Sequence, residues 1–233
     1  MAVKKRITRK QLLKEPDTFM TFSGKAVAFV RANQKQIGYL MTGLVVAVVG
    51  FALFWYLSGL SEDKAYALLN EGLSHYGKIN PDEEEGHFSE VARERLQRLV
   101  SEYGSTPAGK LGWHLYGDVS YEAGQFDEAV RAYGAALESF PDDDILRPLI
   151  WNSLGYAHEA KQDIDQAIQC WEKVTGFAGT LVKSDAYFNL GRMYEQRMNT
   201  EKAREAYGKV VEGFPDSVYS EAARGKLAEL KGS

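Results

Sequence analysis

Two kinds of apolar pattern divide the chain. From Ile37 to Leu60 it reads IGYLMTGLVVAVVGFALFWYLSGL, 24 residues without a charge. As a helix this run would reach ~36 Å against a bilayer core of about 30 Å, so it predicts a membrane span with room to tilt. Tyr39 near one end, and Trp55 and Tyr56 near the other, stand where interfacial aromatics belong. Beyond residue 61 the apolar positions become periodic, with small residues alternating with large aromatics at helical spacing, as in YEAGQFDEAVRAYGAALESFP (121–141). A helix needing only an apolar face could use leucine throughout. Small residues set between large ones predict helices that approach closely, again and again.

The pattern repeats. Three segments begin at Trp113, Trp151 and Tyr187, spaced by 38 and 36 residues. In each, glycine follows four residues on (Gly117, Gly155, Gly191) and alanine sixteen on (Ala129, Ala167, Ala203). A second aromatic follows twenty on, at Tyr133, Trp171 and Tyr207. Proline closes the first and third copies at Pro141 and Pro215; Gly179 stands in its place in the second. A degenerate copy is expected before these, from EDKAYALLNEGLSHYGK and HFSEVARERLQRLVSEYG, joined by INPDEEEG. In its second helix Val91, Leu96, Leu99 and Tyr103 fall on one side. After the last copy, SVYSEAARGKLAEL predicts a capping helix with Val218, Ala222, Leu227 and Leu230 turned inward. Eight soluble helices and no sheet are expected.

This arrangement resembles the tetratricopeptide repeat, a helix-turn-helix unit of about 34 residues. The resemblance covers about 110–217, and short insertions such as DDDILR account for the longer spacing. It implies an all-α solenoid. The Gly and Ala positions would let the two helices of a repeat touch, and the aromatics would fill the gaps between repeats. No unit buries its own face, so stacking makes the core.

Charge changes the picture at the N-terminal side. Residues 1–36 hold nine Lys/Arg and two acids, a net +7, and the rest carries −11. A basic arm before an apolar run, with no small-x-small cleavage site after WYLSGL, predicts an uncleaved signal anchor. The arm stays cytoplasmic by the positive-inside bias, and the acidic body lies across the membrane, in the periplasm of a Gram-negative bacterium. Nucleic-acid binding is disfavoured, since the arm abuts a span and lacks aromatics among its charges. Phe19, Phe22, Ala26, Phe29 and Val30 share a helical face and predict an interfacial helix, interrupted by Gly24.

Chemistry is harder to find. The four histidines (His75, His87, His114, His158) make no HExxH, and the single Cys170 can form neither a thiolate metal site nor an intramolecular disulfide. No Walker loop, GxGxxG or GxSxG occurs. His114 and Asp118 have the spacing of a base and its orienter, but no nucleophile accompanies them. The acids of DEEEG and PDDDI lack EF-hand spacing. No enzyme, metal or cofactor is expected.

What remains is a surface. By the tetratricopeptide resemblance, the first helix of each repeat lines a concave groove. That implies a partner-binding set of His114, Asp118 and Tyr121, then Asn152, Tyr156 and Glu159, then Phe188, Arg192 and Glu195. Leu111, Glu122, Leu149, Asp185 and Gln196 flank them. The lining lacks the Lys/Asn cluster that grips a C-terminal carboxylate in chaperone-binding members. A basic arm, one span and exported repeats with YGSTPAG and FPDSVYSEAA at their junctions are similar to the ancillary translocon-subunit and cell-division-coordinator family of such proteins. That resemblance implies a tethered, non-catalytic adaptor near the SecYEG channel, handing exported clients to periplasmic chaperones. The alternative is a structural subunit of a secretion or division complex, held by its span. The domains expected are the arm (1–36), the anchor (37–60) and the repeats (62–233).

Overall fold

A computed structural model describes residues 18–75 and 90–231 as ten helices, and no strand occurs among them. The loop INPDEEEG, His87 and most of the basic arm lie outside the described residues. The chain separates into two units, Met1–Ser58 and Gly59–Ser233.

The first unit holds α1 (Thr18–Ala32) and the apolar part of α2 (Gln34–His75). Helix α1 forms despite Gly24, and Phe22, Phe29 and Val30 along it are exposed. Helix α2 is long and apolar enough to cross a membrane, with a mean hydropathy of 2.3 over its most apolar stretch and none of that stretch buried.

The second unit begins within α2, whose end carries Ala65, Leu68 and Leu69 into a core with Leu96 and Leu99 of α3 (Glu90–Tyr103). Eight separate helices follow residue 90. The helix expected from Glu62 is instead the end of α2, because no breaker interrupts LSGLSEDKAYALL. Next come α4 (Pro107–Glu122), α5 (Phe126–Ser139), α6 (Leu146–Ala160), α7 (Ile164–Gly176), α8 (Lys183–Gln196), α9 (Thr200–Gly213) and α10 (Ser220–Glu229). Consecutive helices pack as hairpins, so α4/α5, α6/α7 and α8/α9 are the three repeats.

Each leading helix stops in the same way. One residue turns left-handed: Gly124 (φ 72°), Gln162 (φ 62°) and Met198 (φ 54°). The following N–H then bonds the carbonyl five residues back, Gln125 to Ser120 at 2.8 Å, Asp163 to His158 at 2.9 Å and Asn199 to Tyr194 at 2.8 Å. This closure satisfies carbonyls that the helix end leaves open. Starts are capped singly: the Thr106 hydroxyl accepts from Gly109 N before Pro107, and Asp143 Oδ1 accepts from Ile145 N (2.8 Å) and Leu146 N (2.7 Å). The insertion DDDILR thus supplies a cap.

The small and aromatic positions meet as pairs within a repeat. A methyl group on Gly117 would lie 2.4 Å from the Tyr133 ring, one on Gly155 2.7 Å from Trp171 and one on Gly191 2.4 Å from Tyr207. Each second aromatic therefore fills the space its own glycine vacates, and not the gap between repeats. That gap belongs to the first aromatics: Trp113 packs against two successive core clusters, as do Trp151 and Tyr187. Two further expectations shift by one residue. Val91 is exposed, and α3 buries Ala92, Leu96, Leu99 and Val100. Val218 and Ala222 are also exposed; the cap packs through Tyr219, Ala223, Leu227 and Leu230, the set one step along that keeps i, i+4 spacing.

Candidate partner-binding groove

The wedged aromatics position the groove residues. Held against its glycine, Tyr133 donates its hydroxyl to Asp118 Oδ1 at 2.8 Å. Trp171 Nε1 donates to Asn152 Oδ1 at 3.0 Å, and the Tyr207 hydroxyl donates to Glu195 Oε2 at 2.5 Å. Burial first, then the Glu195 carboxylate, push the Tyr207 phenol well above its ordinary range. In all three repeats the side chain that fills the core ends on a predicted groove residue.

The groove has two characters. At its start, α4 and α6 border an open cleft of about 330 Å³ lined by Asp118, Tyr121, Glu122, Tyr133, Ser153 and Tyr156. His114 leans toward both helices, with Nδ1 3.6 Å from Asp118 Oδ2 and Nε2 3.4 Å from Ser153 Oγ. Tyr121 packs on Phe126, with ring centroids 5.5 Å apart. Burial, then Glu159 and Glu122, raise its phenol, and burial, then Asp118, raise the Glu122 carboxyl. Both shifts report a negative potential in a partly dry cleft. On the other side of His114 lies an apolar cleft of about 240 Å³, with Leu69, Leu73, Leu111, Leu115, Leu149 and Ile150 among its walls. Leu73 (41%) and Leu111 (43%) are the parts of it most open to water.

Farther along, the predicted residues bond to one another. The Asp185 carboxylate is buried and accepts from Asn152 Nδ2 (2.8 Å), the Tyr156 hydroxyl (2.7 Å) and Asn189 Nδ2 (2.9 Å). Asn189 Oδ1 accepts from Arg192 Nη1 at 2.6 Å, and Arg192 also pairs with Glu159 at 2.5 Å. Tyr156 stands edge-on to Trp171, and burial followed by Asp185 pushes its phenol far above its ordinary range. Phe188 is covered by Tyr219 of α10, stacked at 5.2 Å, and Glu195 also faces Lys226 at 3.6 Å.

The predicted nine thus divide. His114, Asp118, Tyr121 and one side of Tyr156 border open clefts. Asn152, Glu159, Arg192, Phe188 and Glu195 are engaged with their own neighbours. Sequence reasoning left out Asn189 and Ser153, and the apolar cleft around Leu69 and Leu73. The spacing Asp185 to Asn189, one helical turn, is the readable signal for the first of these. Nothing in the pattern separates Leu69 and Leu73 from ordinary core residues.

Tetratricopeptide repeat family models match residues 81–144 and 116–175, and a second matches 185–217. Together they cover more than half of the sequence: the chain belongs to the tetratricopeptide repeat proteins. Among solved structures, MamA protein superposes with a TM-score of 0.57 at 18% identity, over 72% of this chain and 82% of that one. A second MamA structure gives 0.51 at 20% identity, over 61% and 78%. A tetratricopeptide repeat protein from Parabacteroides merdae ATCC 43184 gives 0.54 at 16% identity, over 75% and 60%. At these identities the likeness is one of fold. No curated protein sequence matches the chain.

Proposed function

We propose that the protein is a membrane-tethered, non-catalytic adaptor whose groove holds a segment of another polypeptide outside the cytoplasmic membrane. The observation that carries this is the pair of clefts on either side of His114, one acidic and one apolar. An amphipathic segment with a basic residue next to a short apolar run suits both at once. Such segments are common in exported chains, and the layout of arm, span and repeats resembles ancillary subunits of the SecYEG channel. We extend the proposal to clients or chaperones met at that channel. Interface energy concentrates in a few buried anchors, and Tyr121 and Leu111 are the positions to probe.

The test is photocrosslinking from solubilised membranes with a probe at Leu111, in the parent and in a Tyr121→Ala variant. A specific adduct that is lost in the variant, with the helical circular dichroism spectrum unchanged, supports the groove. The second reading, a complex subunit held by its span, rests on Gly43 and Gly50. They lie seven residues apart, with nothing beside them. Adducts from a probe at Val46 but none from Leu111 would favour that reading. A reporter active only in the periplasm, fused after Ser233, tests the orientation.

A further inference from the structure

Each junction between a trailing helix and the next leading helix holds two consecutive apolar residues, and the fold buries only the second. Leu146, Val182 and Tyr219 pack into successive cores. The residues before them do not: Ile145 is 77% exposed, Leu181 93% and Val218 87%. Single exposed apolar side chains are ordinary on any surface. Here one recurs at the same place in three consecutive junctions, one per repeat, and nothing in the repeat makes use of it.

Their position in the second unit gives the row a meaning. Helices α4, α6 and α8 run parallel, because each trailing helix returns antiparallel between them. Their starts, and so the junctions, lie along one edge of the array. Neighbouring junctions touch: Ser217 Oγ donates to Ser184 Oγ at 3.0 Å. The start of α4 is held on this edge by Glu62, whose Oε1 accepts the Ala108 N–H at 3.2 Å. Glu62 follows the apolar run, which ends at Leu60, by two residues. The chain therefore enters the repeats from its apolar run at the edge where Ile145, Leu181 and Val218 protrude. The turns Gly124, Gln162 and Met198 lie at the opposite edge.

We infer that the junction edge is a lipid-facing surface, with Ile145, Leu181 and Val218 seated in the headgroup layer of the bilayer the chain crosses. This rests on the membrane tether proposed above. Burial of apolar side chains at the interface drives such contact. Charge selects the lipid. Asp142, Asp144 and Asp216 are exposed beside the row. The nearby cations are engaged: Arg147 donates to the carbonyls of Leu137 and Phe140, and Lys183 to that of Phe177. An edge left acidic in this way suits a zwitterionic surface and is repelled by an anionic one.

The full chain in phosphatidylcholine vesicles provides the test. Spin labels are placed singly on Ile145→Cys, Leu181→Cys and Val218→Cys, with Met198→Cys at the opposite edge and Val46→Cys in the apolar run as references. Cys170 is buried, so labelling of the folded protein is confined to the introduced thiols. The readout is collision with oxygen, which concentrates in lipid, against collision with a water-soluble nickel chelate. The ratio at the three junction positions should exceed that at 198 several-fold, and should fall toward it when phosphatidylglycerol replaces half of the lipid. Junction positions that match 198 while 46 reports lipid overturn the inference and leave the tether standing. A water-like signal at 46 overturns both. Junction labels shielded from both reagents would mean that protein covers the edge, which also overturns it.

Discussion

Gly155 faces the Trp171 indole so closely that a methyl group on its Cα would stand 2.7 Å from Cε2 and 2.8 Å from Nε1. Trp171 is wholly buried and spends its N–H on Asn152, so it cannot swing aside. Gly155→Ala should destabilise the repeat unit by about 1–3 kcal/mol, the usual cost of overpacking a core. The cost should shrink in a Trp171→Leu background, where the ring is gone. Thermal melts of the four proteins in this cycle check both statements. Ala129→Trp and Ala167→Trp, at fully buried positions, should cost at least as much.

The left-handed turns call for the opposite change. Gln162 and Met198 adopt positive φ where the first repeat uses Gly124. Met198 is 91% exposed and contributes little packing. Met198→Gly should therefore stabilise the protein by about 0.5–1 kcal/mol, since the strain of a left-handed side chain outweighs the added chain entropy. Gly124→Ala should destabilise by a similar amount. Denaturant midpoints of the two variants should move in opposite directions.

Asp185 gathers three donors from two repeats, so its removal should cost more than one hydrogen bond. Asp185→Ala leaves Asn152, Tyr156 and Asn189 without their shared acceptor in a buried site, at about 1–3 kcal/mol for each group that finds no substitute. Asp185→Asn keeps the shape but brings its own N–H₂ toward those donors, and should fall between Ala and the parent. The order of the three melting temperatures is the measurement.

His158 gives a pH dependence with a definite sign. Burial lowers its pKa below the ordinary histidine value, against the pull of Asp163 at 3.5 Å. The folded state therefore favours neutral imidazole. As pH falls below about 6.5 the unfolded chain binds the proton first, and stability declines until the lower folded value is passed. His158→Gln should flatten the stability profile over that mildly acidic window and leave it unchanged above neutrality.

Much of this fold was legible because it is written in volumes. The Gly117, Gly155 and Gly191 positions, and the aromatics sixteen residues after each, are a steric code that survives without any alignment. The direction of that code was not legible. Whether Tyr133 fills its own repeat or the next depends on how two helices cross, which spacing alone leaves open. The shifts at Val91 and at Val218 have another cause: two adjacent apolar residues offer two possible faces, and only the neighbouring helix decides between them. For the groove, the register of His114, Asp118 and Tyr121 was readable from the repeat. The engagement of Asn152, Glu159 and Arg192 was not, because Asp185 and Asn189 look like surface residues until α8 places them against α6.

Trp113, Trp151 and Tyr187 each belong to two cores at once. The array therefore has no clean seam. A cut at any junction strips one side of a large ring and leaves the other side in place, so a shortened chain would carry a new adhesive spot at its end. Unravelling from the C-terminal side should proceed in jerks, one for each ring released, with Tyr187 the first to let go.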